Sequence, residues 1–139
     1  MDIYEFICKN DVDFAAHLVK QADLKEAEKA LKVKFGPQMT EYLTEYGYLG
    51  YESIEFYGMN SRQGMLSDMI QQTQYLHQYF AATAGYIAFE NDGEGDYVLI
   101  DSADQVYRYC SEENTLTACD ERLFDYILRR FEEEQELLA

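Results

Sequence analysis

An antiparallel β-sheet with helices packed against it, α+β in class, is predicted by three features of this 139-residue chain. Residues 86–109 read as three short strands joined by two tight, acidic turns, the pattern of a sheet centre. The middle run, Tyr97-Val98-Leu99-Ile100, is apolar on both faces, as expected of a central strand covered by helices. Flanking segments carry helical spacing, clearest at Met39, Tyr42, Leu43 and Tyr46. A hydrophobic fraction of 47% argues against disorder despite a net charge of −16, and the length fits one domain spanning 1–139 with no visible repeat or linker.

In chain order, Ile3, Phe6 and Ile7 lie one helical turn apart. Phe14, Ala15, Leu18 and Val19 continue the pattern as one broken helix or two short ones, the second capped by Asp11 or Asp13. Asp23-Leu24-Lys25-Glu26 has the form of a capping box opening a helix to about Leu31, with Leu24, Ala27 and Leu31 inward and Lys25, Glu26, Glu28 and Lys29 in solvent. Pro37 suits the first position of the next helix, whose core stripe runs to Tyr46 before Gly47 stops it. After the loop Tyr48-Leu49-Gly50, the run from Ser53 to Tyr57 alternates as a strand, sending Ile54 and Phe56 to one face and Glu55 and Tyr57 to the other. Helical spacing returns from about Met65 to Phe80 through Met65 or Leu66, Met69, Ile70 and Leu76. Ile87 and Phe89 share a face of the first central strand. A last amphipathic helix starts at Asp120, and its acidic tail, Glu132 to Glu136, should fray beside the negative end of the helix dipole.

Twenty-seven acidic against 11 basic residues produce a field that repels phosphate backbones and anionic lipid surfaces and attracts basic partners. Direct nucleic-acid binding is not expected. Cys8, Cys110 and Cys119 are odd in number, with no Cys-x-x-Cys pair and no secretory signal ahead of them, which predicts reduced, buried thiols in a cytoplasmic protein. No apolar run approaches the roughly 18 to 20 residues needed to span a bilayer.

The densest carboxylate patch, Asn91-Asp92-Gly93-Glu94-Gly95-Asp96, fails the calcium-loop pattern: counting from Asp92, Tyr97 takes the sixth position and Ala103 the twelfth. It reads as a glycine-bearing hairpin turn whose polar residues accept backbone bonds. No helix follows Gly93 and Gly95 as a phosphate loop requires, and Asp92 with Asp96 lacks any sign of the cleft that acid–base work needs. His17 and His77 have no ligand at metal spacing, and no nucleophile signature is present, so neither catalytic residues nor a metal or cofactor is expected. Thirteen tyrosines without tryptophan suit half-wet interfaces; Tyr42 and Tyr46 fit the core, while Tyr57, Tyr97, Tyr107 and Tyr109 are open between core and surface.

Several segments then align with a family: Leu31, Phe35 and Pro37; Tyr42-Leu43 ahead of Gly47; Glu55-Phe56-Tyr57-Gly58; Asp92 to Tyr97 leading to Asp101; and Val106 to Tyr109. In this order they resemble the SUKH superfamily, which contains bacterial toxin-immunity proteins and yeast cell-wall-synthesis regulators of the Smi/Knr type. Ala88 stands where the family often has proline, and Gly36 intrudes before Pro37. The resemblance implies an α+β fold, no catalytic activity, and a binding role, with a cognate toxin, often a nuclease, as partner in bacterial members.

The acidic field fits an inhibitor of a basic toxin domain, and the regulatory scaffold is the competing reading. By charge and exposure the expected partner-binding residues are Glu55, Tyr57, Glu90, Asp92, Glu94, Asp96, Asp101 and Asp104. Glu55 and Tyr57 join the set as residues expected on the outer face of their strand.

Overall fold

The computed structural model describes residues 1–15, 18–59 and 68–138. Among them are five α-helices and two antiparallel sheets, the predicted α+β class. Helix α1 (Ile3–Lys9) is opened by Asp2, whose carboxylate accepts the Glu5 N–H at 2.8 Å. The expected helical continuation fails in the described residues: Asp13 instead exchanges both backbone hydrogen bonds with Gly50, and Phe14 and Leu18 are exposed. His17 lies outside the described residues.

Helix α2 (Gln21–Leu31) has its cap three residues before the expected one at Asp23. Lys20 is the capping position, and Asp23 reaches back to accept its N–H at 2.8 Å, so Asp23 sits inside the first turn. Leu24, Ala27 and Leu31 are buried as the stripe requires, and Lys32 ends the helix in the left-handed region at φ 56°. Glu28 is only partly in solvent, since its carboxylate accepts the Phe35 N–H at 2.8 Å. Helix α3 (Pro37–Glu45) begins with proline and buries Met39, Tyr42 and Leu43.

Two strands follow, β1 (Leu49–Tyr51) and β2 (Ile54–Phe56), paired as a small hairpin. The first replaces the expected loop, its central Gly50 having masked a three-residue strand. Tyr57 lies past the end of β2 and is buried at 7% exposure, its N–H bonded to Phe89 O, so it does not share an outer face with the exposed Glu55. Helix α4 (Met69–Tyr79) starts at Asp68, which accepts the Ile70 N–H; Met65 and Leu66 lie outside the described residues.

The larger sheet, in the order β3-β4-β5-β6, contains β3 (Ile87–Asn91), β4 (Asp96–Ile100), β5 (Gln105–Cys110) and β6 (Thr115–Arg122). In β3 the register slips between Ala88 and Glu90, so Phe89 is the extra residue of a bulge and the expected simple alternation is lost: Ile87 through Glu90 are all buried. Strand β6 was not anticipated because none of its eight residues is buried: Leu116, Cys119 and Glu121 are half-buried and the other five exposed, as an edge strand permits. It runs directly into α5 (Leu123–Leu138), which therefore begins three residues after Asp120.

The acidic end of α5 stays helical through Leu138. Ser53 donates to Glu134 at 2.5 Å, Arg129 pairs with Glu133 at 2.6 Å, and Gln135 donates to Asn10 at 2.9 Å. The core is an aromatic stack joining α1, both hairpin strands, β3 and α5: Phe6, Tyr51, Phe131, Phe56 and Phe89 succeed one another at centroid distances of 4.7–5.6 Å. Thr73 on α4 anchors the sheet by accepting the Ala88 N–H. The thiols are free, and the expectation that they are buried fails: Cys8 is exposed and Cys110 and Cys119 are partly so.

Candidate partner-binding surface

The β3–β4 turn is a hairpin device, as its glycines imply. Gly93 and Gly95 take φ of 83° and 96°, and the Asp92 carboxylate accepts the N–H groups of Glu94 and Asp96. Its other oxygen takes Arg108 at 2.6 Å, and Asp96 takes the same guanidinium at 3.2 Å. Two of the three turn carboxylates are thus partly neutralised from within, leaving Glu94 exposed, with no hydrogen bond or ion pair from its carboxylate among the described residues.

The remaining expected residues separate by burial. Glu55 is exposed on β2. Asp101 is half-buried and accepts the N–H groups of Ala103 and Gln105 and the Tyr107 hydroxyl, whose pKa that bond raises. Glu90 and Asp104 are buried at 6% and 3% exposure, which corrects the premise that put them on the surface.

Each buried carboxylate has a structural employer. Glu90 accepts the Tyr126 hydroxyl and pairs with Arg130 at 2.5 Å, anchoring α5 to the sheet. Asp104 accepts the N–H groups of Gln38 and Met39, both at 2.9 Å, capping the first turn of α3. A Cβ on Gly36 would lie 2.5 Å from the Asp104 carboxylate, so the glycine before Pro37 is a steric requirement of that cap.

Among the open tyrosines, Tyr57 and Tyr109 are core and Tyr97 and Tyr107 half-buried; Tyr42 is fully buried, donating to Tyr57 O, while Tyr46 is half-buried. Burial pushes the Tyr57 hydroxyl up to about 12. His77 is a boundary residue with Nε2 2.7 Å from Tyr86 O. Among the described residues no group of three histidine, cysteine or acidic side chains could hold a metal ion, and no helix is long and apolar enough to cross a membrane.

A different acidic feature forms where the start of α1 meets α3 and α5. A cleft of about 280 Å³ has Ile3, Tyr4, Tyr46, Phe124 and Leu128 among its lining, with Asp2, Glu41 and Asp125 around them. The Glu41 and Asp125 carboxylates accept no hydrogen bond and join no ion pair among the described residues, whereas Asp2 is engaged as the α1 cap. Burial first, then the nearby carboxylates, raise the Tyr46 pKa.

Aromatic walls under uncommitted carboxylates suit the long stem and charged head of a lysine or arginine. Sequence reasoning missed this set because positions 2, 41 and 125 share no local spacing. The available signal was limited to Glu41 standing beside the α3 core stripe.

A protein-family model described as SUKH_5, SMI1-KNR4 cell-wall, matches residues 4–132. No curated protein matches the chain.

Proposed function

Because the chain belongs to the SUKH_5, SMI1-KNR4 cell-wall family, we propose that it is a non-enzymatic, cytoplasmic binding module, an immunity protein that binds and neutralises a basic cognate toxin domain. A nuclease is the expected toxin class, since an acidic inhibitor both speeds association and occupies a surface shaped for phosphates. The observation that carries the choice of a basic partner is the cleft bearing Glu41 and Asp125, two unpaired carboxylates over aromatic side chains in a chain of net charge −16. Glu55 and Glu94 are exposed contributors, and Asp92, Asp96 and Asp101 add to the field. Glu90, Asp104 and Tyr57 act through the fold that presents them.

Co-expression with the toxin encoded by the neighbouring gene tests this reading. A stable complex and restored growth are expected; neither appearing would refute it. Replacing Glu41 and Asp125 with lysine should slow association about tenfold at low salt and much less at high salt, because ions screen steering.

The matched description points to a second reading, a regulatory scaffold for cell-wall enzymes or signalling proteins. Recovery of several unrelated host proteins in a pull-down, with no toxin among them, would favour it.

A further inference from the structure

The chain's positive charge is segregated. Residues 20–34 hold five lysines against three acidic residues, leaving 24 of the 27 acidic and six of the 11 basic residues elsewhere. Lys25, Lys29 and Lys32 follow at helical spacings of four and three, which puts their ammonium groups along one side of α2 and its end. The left-handed residue Lys32 then turns the chain so that Lys34 joins them. Together with Glu28, Val33, Gly85 and Ser102 these four lysines line a depression of about 650 Å³.

Two properties set this depression apart from an ordinary solvated helix face. None of the four lysines is in an ion pair among the described residues, although like charges at these spacings repel. Glu28, the one carboxylate in the lining, is engaged by the Phe35 N–H at 2.8 Å, so the lining carries four cations against one committed anion. Lys32 also occupies the left-handed position after a helix, at φ 56°, where glycine is the least strained choice. Opposite it, Gly85 has φ 87° and nothing within 4 Å of where a Cβ would stand, leaving its backbone open to an incoming group.

We propose that the four-lysine depression between the end of α2 and the turns at Gly85 and Ser102 binds a compact, multiply charged oxyanion of the phosphate-ester or polyphosphate class. Four mobile ammonium groups match several oxyanion charges at once. An extended nucleic acid would run past the patch onto the surrounding acidic surface, which selects a small ligand over a long one. This site is independent of the toxin-binding reading and survives its failure.

The test is an NMR titration of the full chain with sodium triphosphate, at about 0.02 M and about 0.2 M salt. Saturable shifts confined to residues around 25–34, 85 and 102, weaker at the higher salt, are expected. Lys32→Gly should bind about three- to fivefold more weakly, the effect of losing one exposed ion pair. Because glycine suits its backbone, that variant should keep or raise the melting temperature. Lys29→Gln with Lys32→Gly should lose about tenfold or more. No saturable shift at low salt, binding that both variants leave unchanged, or tighter binding of a short DNA duplex than of triphosphate would each overturn the proposal.

Discussion

Removing Arg130 should destabilise the protein through the carboxylate it leaves behind. Glu90 has a side chain 8% exposed and its partner Arg130 one 28% exposed, so Arg130→Met abandons a nearly buried charge. Breaking a fully buried pair costs about 3–5 kcal/mol; the Tyr126 hydroxyl still donates to Glu90 and water reaches the vacated side, which reduces the loss to about 2–3 kcal/mol. At this chain length that is a fall of roughly 6–12 °C in melting temperature. Glu90→Gln leaves a cation that can turn to solvent and should cost about 1 kcal/mol. The double variant removes both charges and should also lie near 1 kcal/mol below the parent, well short of the summed singles. Urea unfolding followed by circular dichroism, with slopes compared across the four proteins, measures the cycle. Additive losses would refute the idea that the buried carboxylate, and not lost packing of the arginine stem, sets the penalty.

Asp104→Ala should cost about 2–3 kcal/mol in the same unfolding assay, since it strips the cap from α3 and strains a residue at φ 64°, whereas Asp104→Asn should lose less than half as much. Alkali should destabilise the protein. Tyr57 stays neutral to about 12 in the fold but ionises near 10 when unfolded, so the folded state holds the extra proton between those values. That stability is whole below about pH 10 and falls by on the order of 2–3 kcal/mol as pH rises to about 12; Tyr57→Phe should flatten this part of a stability-versus-pH curve. Ser53→Ala removes the hydroxyl that lowers the Glu134 pKa and ties down the end of α5, so amide exchange should quicken at residues 132–138 while the global unfolding midpoint holds.

Local chemistry made much of this fold readable. Pro37 and Gly47 bracket α3, the stripes of α2 and α3 are buried except at Tyr46, which lies past the helix and is half-buried, and the glycine-bearing turn at Gly93 and Gly95 joins two strands. The missed elements are those whose signal is weak for a physical reason. Strand β1 is three residues around a glycine, and β6 is an edge strand with no buried residue. Asp23 looked like a cap because a carboxylate at the capping position and one three residues into the helix leave similar traces. Candidate residues fared worse because exposure is a tertiary property: Glu90 finds its partners 36 and 40 residues away, and the cleft draws Asp2 from the cap of α1, Glu41 from α3 and Asp125 from α5.

The Asp104 cap also bears on the order in which the molecule is completed. The N–H groups it satisfies lie 65 and 66 residues earlier in the chain, so the first turn of α3 has no side chain to finish it until the β4–β5 turn has closed. Helix α3 leaves the ribosome well before its own cap is synthesised, and must wait through the making of α4, β3 and β4 in an unfinished form. Anything that later pries open the β4–β5 turn withdraws the same carboxylate and leaves the first turn of α3 uncapped again. The stability of a surface turn is thereby coupled to that of a helix 65 residues earlier in the chain.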